Sequence, residues 1–288
     1  MAEISAAAVM KLRKISGQGM MDCKKALEET SGDLEQAMTL LRKKGLTTLA
    51  KRADRETTEG RVRCSADTNG KLAAMATLCC ETDFVANSDD FIFAGEALSN
   101  YILACPSDNS VEELLKTEVG GKSFTQLITE TVSKIGEKIE IGDYARFKLA
   151  SAGLISTYVH FNGKIGVMVE IETSTQAVAD NAAFASIAKD ICMHIAAINP
   201  LALDSSGISA EIIEREKAIA AEQVKGKPAN LIEKIVEGKL KKFFAENCLL
   251  SQGFVKDDKT MVEKVLADSA KAAGGTAKIK RFVRFAIG

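Results

Sequence analysis

The chain of 288 residues is long enough for two or three domains with a sizeable core. Its 38 Lys+Arg stand against 39 Asp+Glu, tryptophan is absent and aromatics are 5%, which argues against a dedicated nucleic-acid binder and against base-stacking platforms. Seven scattered cysteines without Cys-x-x-Cys spacing, only two histidines (His160 and His194), no apolar run near the roughly 20 residues of a membrane span, and no signal pattern around Glu3 together lead us to expect a cytoplasmic protein with buried free thiols, no metal and no cofactor.

Residues 4–45 read as three short helices. Ser5 caps the first, Val9 and Leu12 share one face, and Gly17 and Gly19 end it. The second runs from about Met20 to Thr30. The third opens at Asp33, with Gln36 in capping-box position, and is expected to stop at Gly45 after Arg42-Lys43-Lys44. This resembles a minimal three-helix module of the ubiquitin-associated type. The polar stretch 46–60 reads as a linker across which few contacts pass.

Two similar units follow. In the first, the alternating run Arg61–Ala66 leads through Asn69-Gly70 into the apolar strand Leu72–Cys80, and a helix covers about Ser88–Ala104. In the second, Ile155–Phe161 leads through Asn162-Gly163 into Ile165–Ile171, and a helix covers about Gln176–Ile198. Between about 209 and 246 lies a helical pair turning at Lys225-Gly226-Lys227-Pro228, with a stripe of Ile232, Val236, Leu240 and Phe243 faced by Ile212 and Ile219; sixteen residues make an arm of about 24 Å. Lys278–Phe285 reads as a return strand. The expected class is α+β, divided into 1–54 (helical module and linker), 55–140 (first subdomain), 141–208 with 247–288 (second subdomain), and 209–246 (helical hairpin inserted in the second).

No nucleotide site is expected in the chain itself. Gly120-Gly121-Lys122-Ser123 lacks the first glycine of a phosphate loop, Lys116 standing in its place, and Gly17-Gln18-Gly19 opens no Rossmann unit. Between the two units' strands and helices the sequences differ. The first has Glu81-Thr82-Asp83-Phe84-Val85-Ala86-Asn87; the second has Glu172-Thr173-Ser174-Thr175 and no Asp-Phe pair, so the fold of the unit does not require that pair. On the residues alone Phe84 is either a core plug or a wedge for a partner, and Asp83 either a helix-start carboxylate or a contact. Of Met20 and Met21, neighbouring helix positions that point apart, one is assigned to core and one to contact. His194, with Asp190 one turn back, reads as a satisfied structural histidine. Cys23 beside Lys24 and Lys25 has no base in reach.

The wording of the Thr82-Asp83-Phe84-Val85 segment resembles a signature of the bacterial elongation factor Ts family. So do Leu12 with Ser16–Leu27, Ile165-Gly166-Val167, Met193–Ala197, Lys227-Pro228, Val236–Phe243 and Arg284-Phe285, in order along nearly the whole chain. The resemblance implies a non-enzymatic guanine-nucleotide exchange factor that binds elongation factor Tu, both GDP-bound and nucleotide-free. Thr82, Asp83, Phe84 and Val85 would then form the loop that disturbs the partner's magnesium and phosphate site. It also implies partner contacts at Leu12, Arg13, Met20, Met21, Lys24, Ile165, Gly166, His194 and Val255, and a protruding coiled coil at 209–246. Gly253 departs from the family's usual proline, so a looser turn before Val255 is expected. The sequence runs only to Gly288, soon after Arg284-Phe285, so the contact that a further helical module makes in long family members is not expected here. The competing reading is a non-exchange adaptor recruiting a partner through the helical module; an enzyme using Cys23 or His194 is a distant third.

Overall fold

The structure is a computed structural model that describes residues 4–224 and 229–288. Three helices come first: α1 Ala6–Ser16, α2 Met20–Glu29 and α3 Leu34–Lys51. Ser5 Oγ accepts the Ala8 N–H at the start of α1, and Gly17, at φ 67°, ends it in the left-handed conformation that glycine adopts without strain. Asp33 caps α3 by accepting the Glu35 and Gln36 amides at 2.9 and 3.0 Å. Val9, Leu12, Cys23, Ala26, Leu27, Ala37 and Leu41 form the small core.

Helix α3 does not stop at Gly45; it continues to Lys51. The motif of three cations and a glycine imitates a helix terminus, but Gly45 lies in the helix interior against another helix. The polar stretch after it is correspondingly shorter than expected, and contacts do cross it, because α3 packs on the later helix α7 (Phe124–Ile135).

The rest is two copies of one plan. The first comprises β1 Glu59–Ala66, β2 Leu72–Cys80, α4 Asp83–Ala86, α5 Asp89–Ala104, then α6 Val111–Lys116 and the short hairpin β3 Glu118–Val119 and β4 Lys122–Ser123, and finally α7 and β5 Ile139–Lys148. The second comprises β6 Gly153–Val159, β7 Ile165–Thr173, α8 Gln176–Ala179, α9 Ala182–Ile198, then α10 Ala210–Glu222 and α11 Ala229–Asn247, the hairpin β8 Gly253–Phe254 and β9 Asp257–Met261, and finally α12 Val262–Ala272 and β10 Ala277–Ala286. Each makes a three-stranded antiparallel sheet, ordered β1-β2-β5 and β10-β7-β6. The helix expected over 176–198 is thus two helices broken at Asp180-Asn181, with Asn181 capping α9. Strand β5 runs across the expected division at 140/141 and pairs with β2 from Ile139 to Lys148, so sheet membership changes only after Lys148.

The two sheets pack face to face, and each carries helices on its other side. Ala74, Ala76, Leu78 and Cys80 of β2 face α5 and α7, while Ala73 and Met75 face the second sheet. Val167, Val169 and Ile171 of β7 face α9 and α12, while Met168 faces the first sheet. A central strand buried on both faces explains the nearly continuous apolar run of β2, broken only by Thr77. Gly166 lets the sheets close, since a Cβ there would sit 2.4 Å from Val62 Cγ1 and 2.7 Å from Met75 Sδ. Glu170, fully buried on the same face, is matched by Arg281 at 2.7 Å and Lys280 at 3.1 Å, and the Arg281 guanidinium lies 4.0 Å over the Phe147 ring.

Helices α10 and α11 run antiparallel: Ile212 and Ile213 of one and Phe243 and Phe244 of the other pack on the same cluster of Ala202, Ile208 and Cys248 at one end, and Gln223 meets Lys239 further along. The stripe Ile232, Val236, Leu240 and Phe243 is half-buried, as the periodicity predicts. The expected turn at 225–228 lies outside the described residues. All seven cysteines are free; six are buried and Cys64 is half-buried. No described helix is long and apolar enough to cross a membrane.

Candidate functional site

Strand β2 delivers the chain to Glu81 and Thr82, and both are clamped. Glu81 Oε1 receives Arg52 at 2.6 Å and the Lys138 amide at 2.7 Å, with Arg55 at 3.6 Å from the other oxygen. Burial alone would raise the Glu81 carboxyl; the Lys138 amide, Arg52 and Arg55 outweigh it and hold the group below the usual carboxylate range. Glu137 grips Thr82 with both oxygens, accepting its amide at 3.1 Å and its hydroxyl at 2.8 Å. Thr82 Oγ1 in turn accepts the Val85 amide, the N-cap bond of the single-turn helix α4. Behind the turn, Arg61 donates to the Ala86 carbonyl at 2.8 Å and to Asn87 Oδ1 at 2.6 Å.

On this mount Val85 and Ala86 face inward and pack on the first core, while Asp83 is exposed and Phe84 is 84% exposed. Of the two readings the residues left open, the core plug is therefore excluded. An exposed phenylalanine forgoes about 1.5–3 kcal/mol of burial, recoverable only against another molecule. Ser88 then caps α5 through the Phe91 amide, and Phe91 is the aromatic that enters the core.

In the helical module Met20 and Met21 are 50% and 63% exposed. The expectation that one would be core fails because Cys23, Ala26 and Leu27 fill the buried face of α2. Lys24 is exposed and pairs with Glu28 at 3.8 Å, and Arg13 is exposed on α1. Leu12 is fully buried in the module core, so its side chain serves that core and offers no outward surface. Cys23 is buried with Sγ turned to the Gln18 carbonyl and Ser16 Oγ.

In the second unit His194 is fully buried. Its Nε2 donates to Gln252 Oε1 at 2.8 Å and its Nδ1 accepts the Val255 amide at 3.1 Å, which fixes the tautomer. Burial lowers its pKa, against a smaller opposing effect of Gln252, and keeps it neutral. The side chain is the satisfied structural histidine of the residue reading, and what it supports is Val255, 46% exposed on the β8–β9 turn. Its partner is not Asp190, which pairs with Lys256 at 2.7 Å. The turn is not loose at Gly253 either: a Cβ there would meet the Asp258 carbonyl at 2.6 Å. Gly166 spends its close approach on Val62 and Met75 of the chain itself, and Ile165 is half-buried against the second core.

Two further aromatics that no motif marks are exposed, Phe161 at 91% and Phe93 at 65%. Phe161 packs against His160 with ring centroids 4.4 Å apart and the planes tilted by 52°, and Tyr158 Oη meets His160 Nδ1 at 2.9 Å. Its position directly before Asn162-Gly163, at a hairpin tip, was the available signal. Among the described residues no group of three or more His, Cys, Asp and Glu is placed to hold a metal ion.

A family model described as "Elongation factor TS" matches residues 81–288. Elongation factor Ts of a Nitratiruptor species is 45% identical over 287 residues, 99% of this chain and 93% of that protein. That of Clostridium perfringens is 42% identical over 289 residues, again 99% and 93%, and that of Nautilia profundicola is 40% identical over 292 residues, 100% and 94%. A family model over residues 81–288, with curated relatives aligned over 99% of the chain, places the chain in the elongation factor Ts family of translation elongation factors.

Proposed function

We propose that the protein is the guanine-nucleotide exchange factor of elongation factor Tu, and that Phe84, with Asp83 beside it, enters the partner's nucleotide domain and disturbs its magnesium and phosphate site. The observation that carries this reading is a phenylalanine 84% exposed on a helix of one turn whose root is held by Glu81 and Glu137. A wedge must keep its shape when pushed, and this one is fixed by the scaffold. Met20, Met21, Lys24 and Arg13 on the helical module, Val255, and the arm of α10 and α11 supply further contact surface. Leu12, Gly166 and His194 act behind it by holding the contact residues in place.

Such a factor needs no acid, base or nucleophile; binding energy does the work. If it weakens GDP binding, GDP must weaken its own binding equally, so the nucleotide-free complex is the tight state. The test is release of fluorescent GDP from elongation factor Tu with and without the protein, paired with a binding titration at several GDP concentrations. Accelerated release with reciprocal weakening is expected. Binding without acceleration would instead establish the adaptor reading.

A further inference from the structure

We infer that the seam between α3 and α7 is a positioning device: Gly45, seated on the Thr129 carbonyl, holds the Met20–Met21 face of the helical module at a fixed orientation to Phe84, so that one protein partner meets both as a preformed pair. The inference rests on the exchange reading above.

A glycine inside a helix destabilises it by about 1 kcal/mol relative to alanine. The helical backbone at Gly45 does not call for glycine; the neighbouring helix does. A Cβ would lie 2.6 Å from the Thr129 carbonyl oxygen, 3.0 Å from Ser133 Cβ and 3.1 Å from Thr129 Cγ2. The nearest obstacle is backbone, which cannot swing aside. Around this point Ser133 Oγ donates to the Leu41 carbonyl at 3.3 Å and Arg42 reaches Glu130 at 3.7 Å.

Two further ties connect the seam to the contact faces. Lys134 of α7 lies across Gly17, its Cε and Nζ both 2.6 Å from where a Cβ would be, and continues to Asp90 of α5 at 3.6 Å. Gly17 opens the three-residue joint that leads to Met20. At the other end of α3, Arg52 and Arg55 pair with Glu81, the residue immediately before Thr82 and α4. The joint before Met20 and the root of Phe84 are thus fastened to one scaffold. A flexible tether would leave the second contact to an effective concentration in about the millimolar range, whereas a fixed pair has its orientation settled before binding.

The test uses the full chain with Gly45→Leu and, from the other side of the seam, Ser133→Leu. Folded fraction is read by circular dichroism, docking of the module by the rate of tryptic cleavage after Lys51, Arg52 or Arg55, and function by titrating GDP release from elongation factor Tu. The expected result is a folded chain, faster cleavage at those sites, a half-saturating concentration raised about tenfold, and an unchanged release rate at saturation, because Phe84 itself is intact. A loss of fold would show in the dichroism. If Gly45→Leu does not fold, Ser133→Leu carries the same readouts. The inference is overturned if a released module leaves the half-saturating concentration at the parent value, or if both variants stay as protected as the parent. Should the parent fail to accelerate release, the exchange reading falls, while the cleavage rates still report on the seam.

Discussion

Helices α4 and α8 occupy the same place in two copies of one plan, and they do different things. Each is a single turn between a buried central strand and a long helix, entered through a threonine, Thr82 or Thr175. Val85-Ala86 and Val178-Ala179 correspond, and Ala86, Val178 and Ala179 are buried. The outward positions differ: Asp83-Phe84 in one copy, Gln176-Ala177 in the other. So do the roots. Thr82 makes its cap bond and is held by Glu137, whereas Thr175 makes no side-chain cap bond. The inward pair is what the fold requires. The aromatic, and the carboxylates that brace it, are what this copy has been given in addition.

Writing α8 into α4 should break the difference most completely. The double variant Asp83→Gln/Phe84→Ala should fold with the parent's melting temperature and lose exchange by about 30-fold or more, the scale of a binding hot spot. Fluorescent-GDP release and a thermal melt on the same preparation check both halves. Next in size, Thr82→Ala should destabilise the protein by about 1 kcal/mol as a lost cap. Thr175→Ala should stay within about 0.5 kcal/mol; chemical denaturation compares them, and equal losses would mean that the two turns are anchored alike.

Acid should separate the copies next. Both histidines lie in the second unit, and His194 has a pKa lowered chiefly by burial. Its folded-state pKa lies below the unfolded value of about 6.5, so its contribution is complete above that value and is lost as pH falls from there toward the folded pKa. Between pH 7.5 and 5.5, protection factors, which are exchange rates corrected for the intrinsic pH dependence of amide exchange, should fall in α9 and the β8–β9 turn while those of α5 hold, and His194→Gln should flatten the response. The smallest effect is the converse graft: Ala177→Phe, on the exposed face of α8, should change stability by less than about 0.5 kcal/mol and leave exchange as it was.

Much of this organisation was legible in the chain. The paired Asn-Gly turns, the apolar strands and the helix caps at Ser5 and Asp33 announce themselves through local chemistry, and the structure follows them. What was not legible is what faces what. Gly45 after three cations reads as a helix end because the sequence does not show that α7 lies against it. Leu12, Gly166 and His194 carry the family's wording, yet they are buried, and nothing in a linear pattern separates a residue that touches a partner from one that holds such a residue in place. Phe84 is the reverse case: the second unit's lack of an aromatic already hinted that it was free to face out.

Phe84 is the exposed wedge on which the proposed exchange depends, and Phe84→Ala tests it directly. Stopped-flow release of fluorescent GDP from elongation factor Tu, at saturating concentrations of parent and variant, is to be read beside thermal melts of the same samples. An unchanged melting temperature with most of the release rate lost is the expected result. A variant destabilised by about 3–5 kcal/mol, as for a buried phenylalanine, whose folded fraction still releases GDP at the parent rate would contradict it.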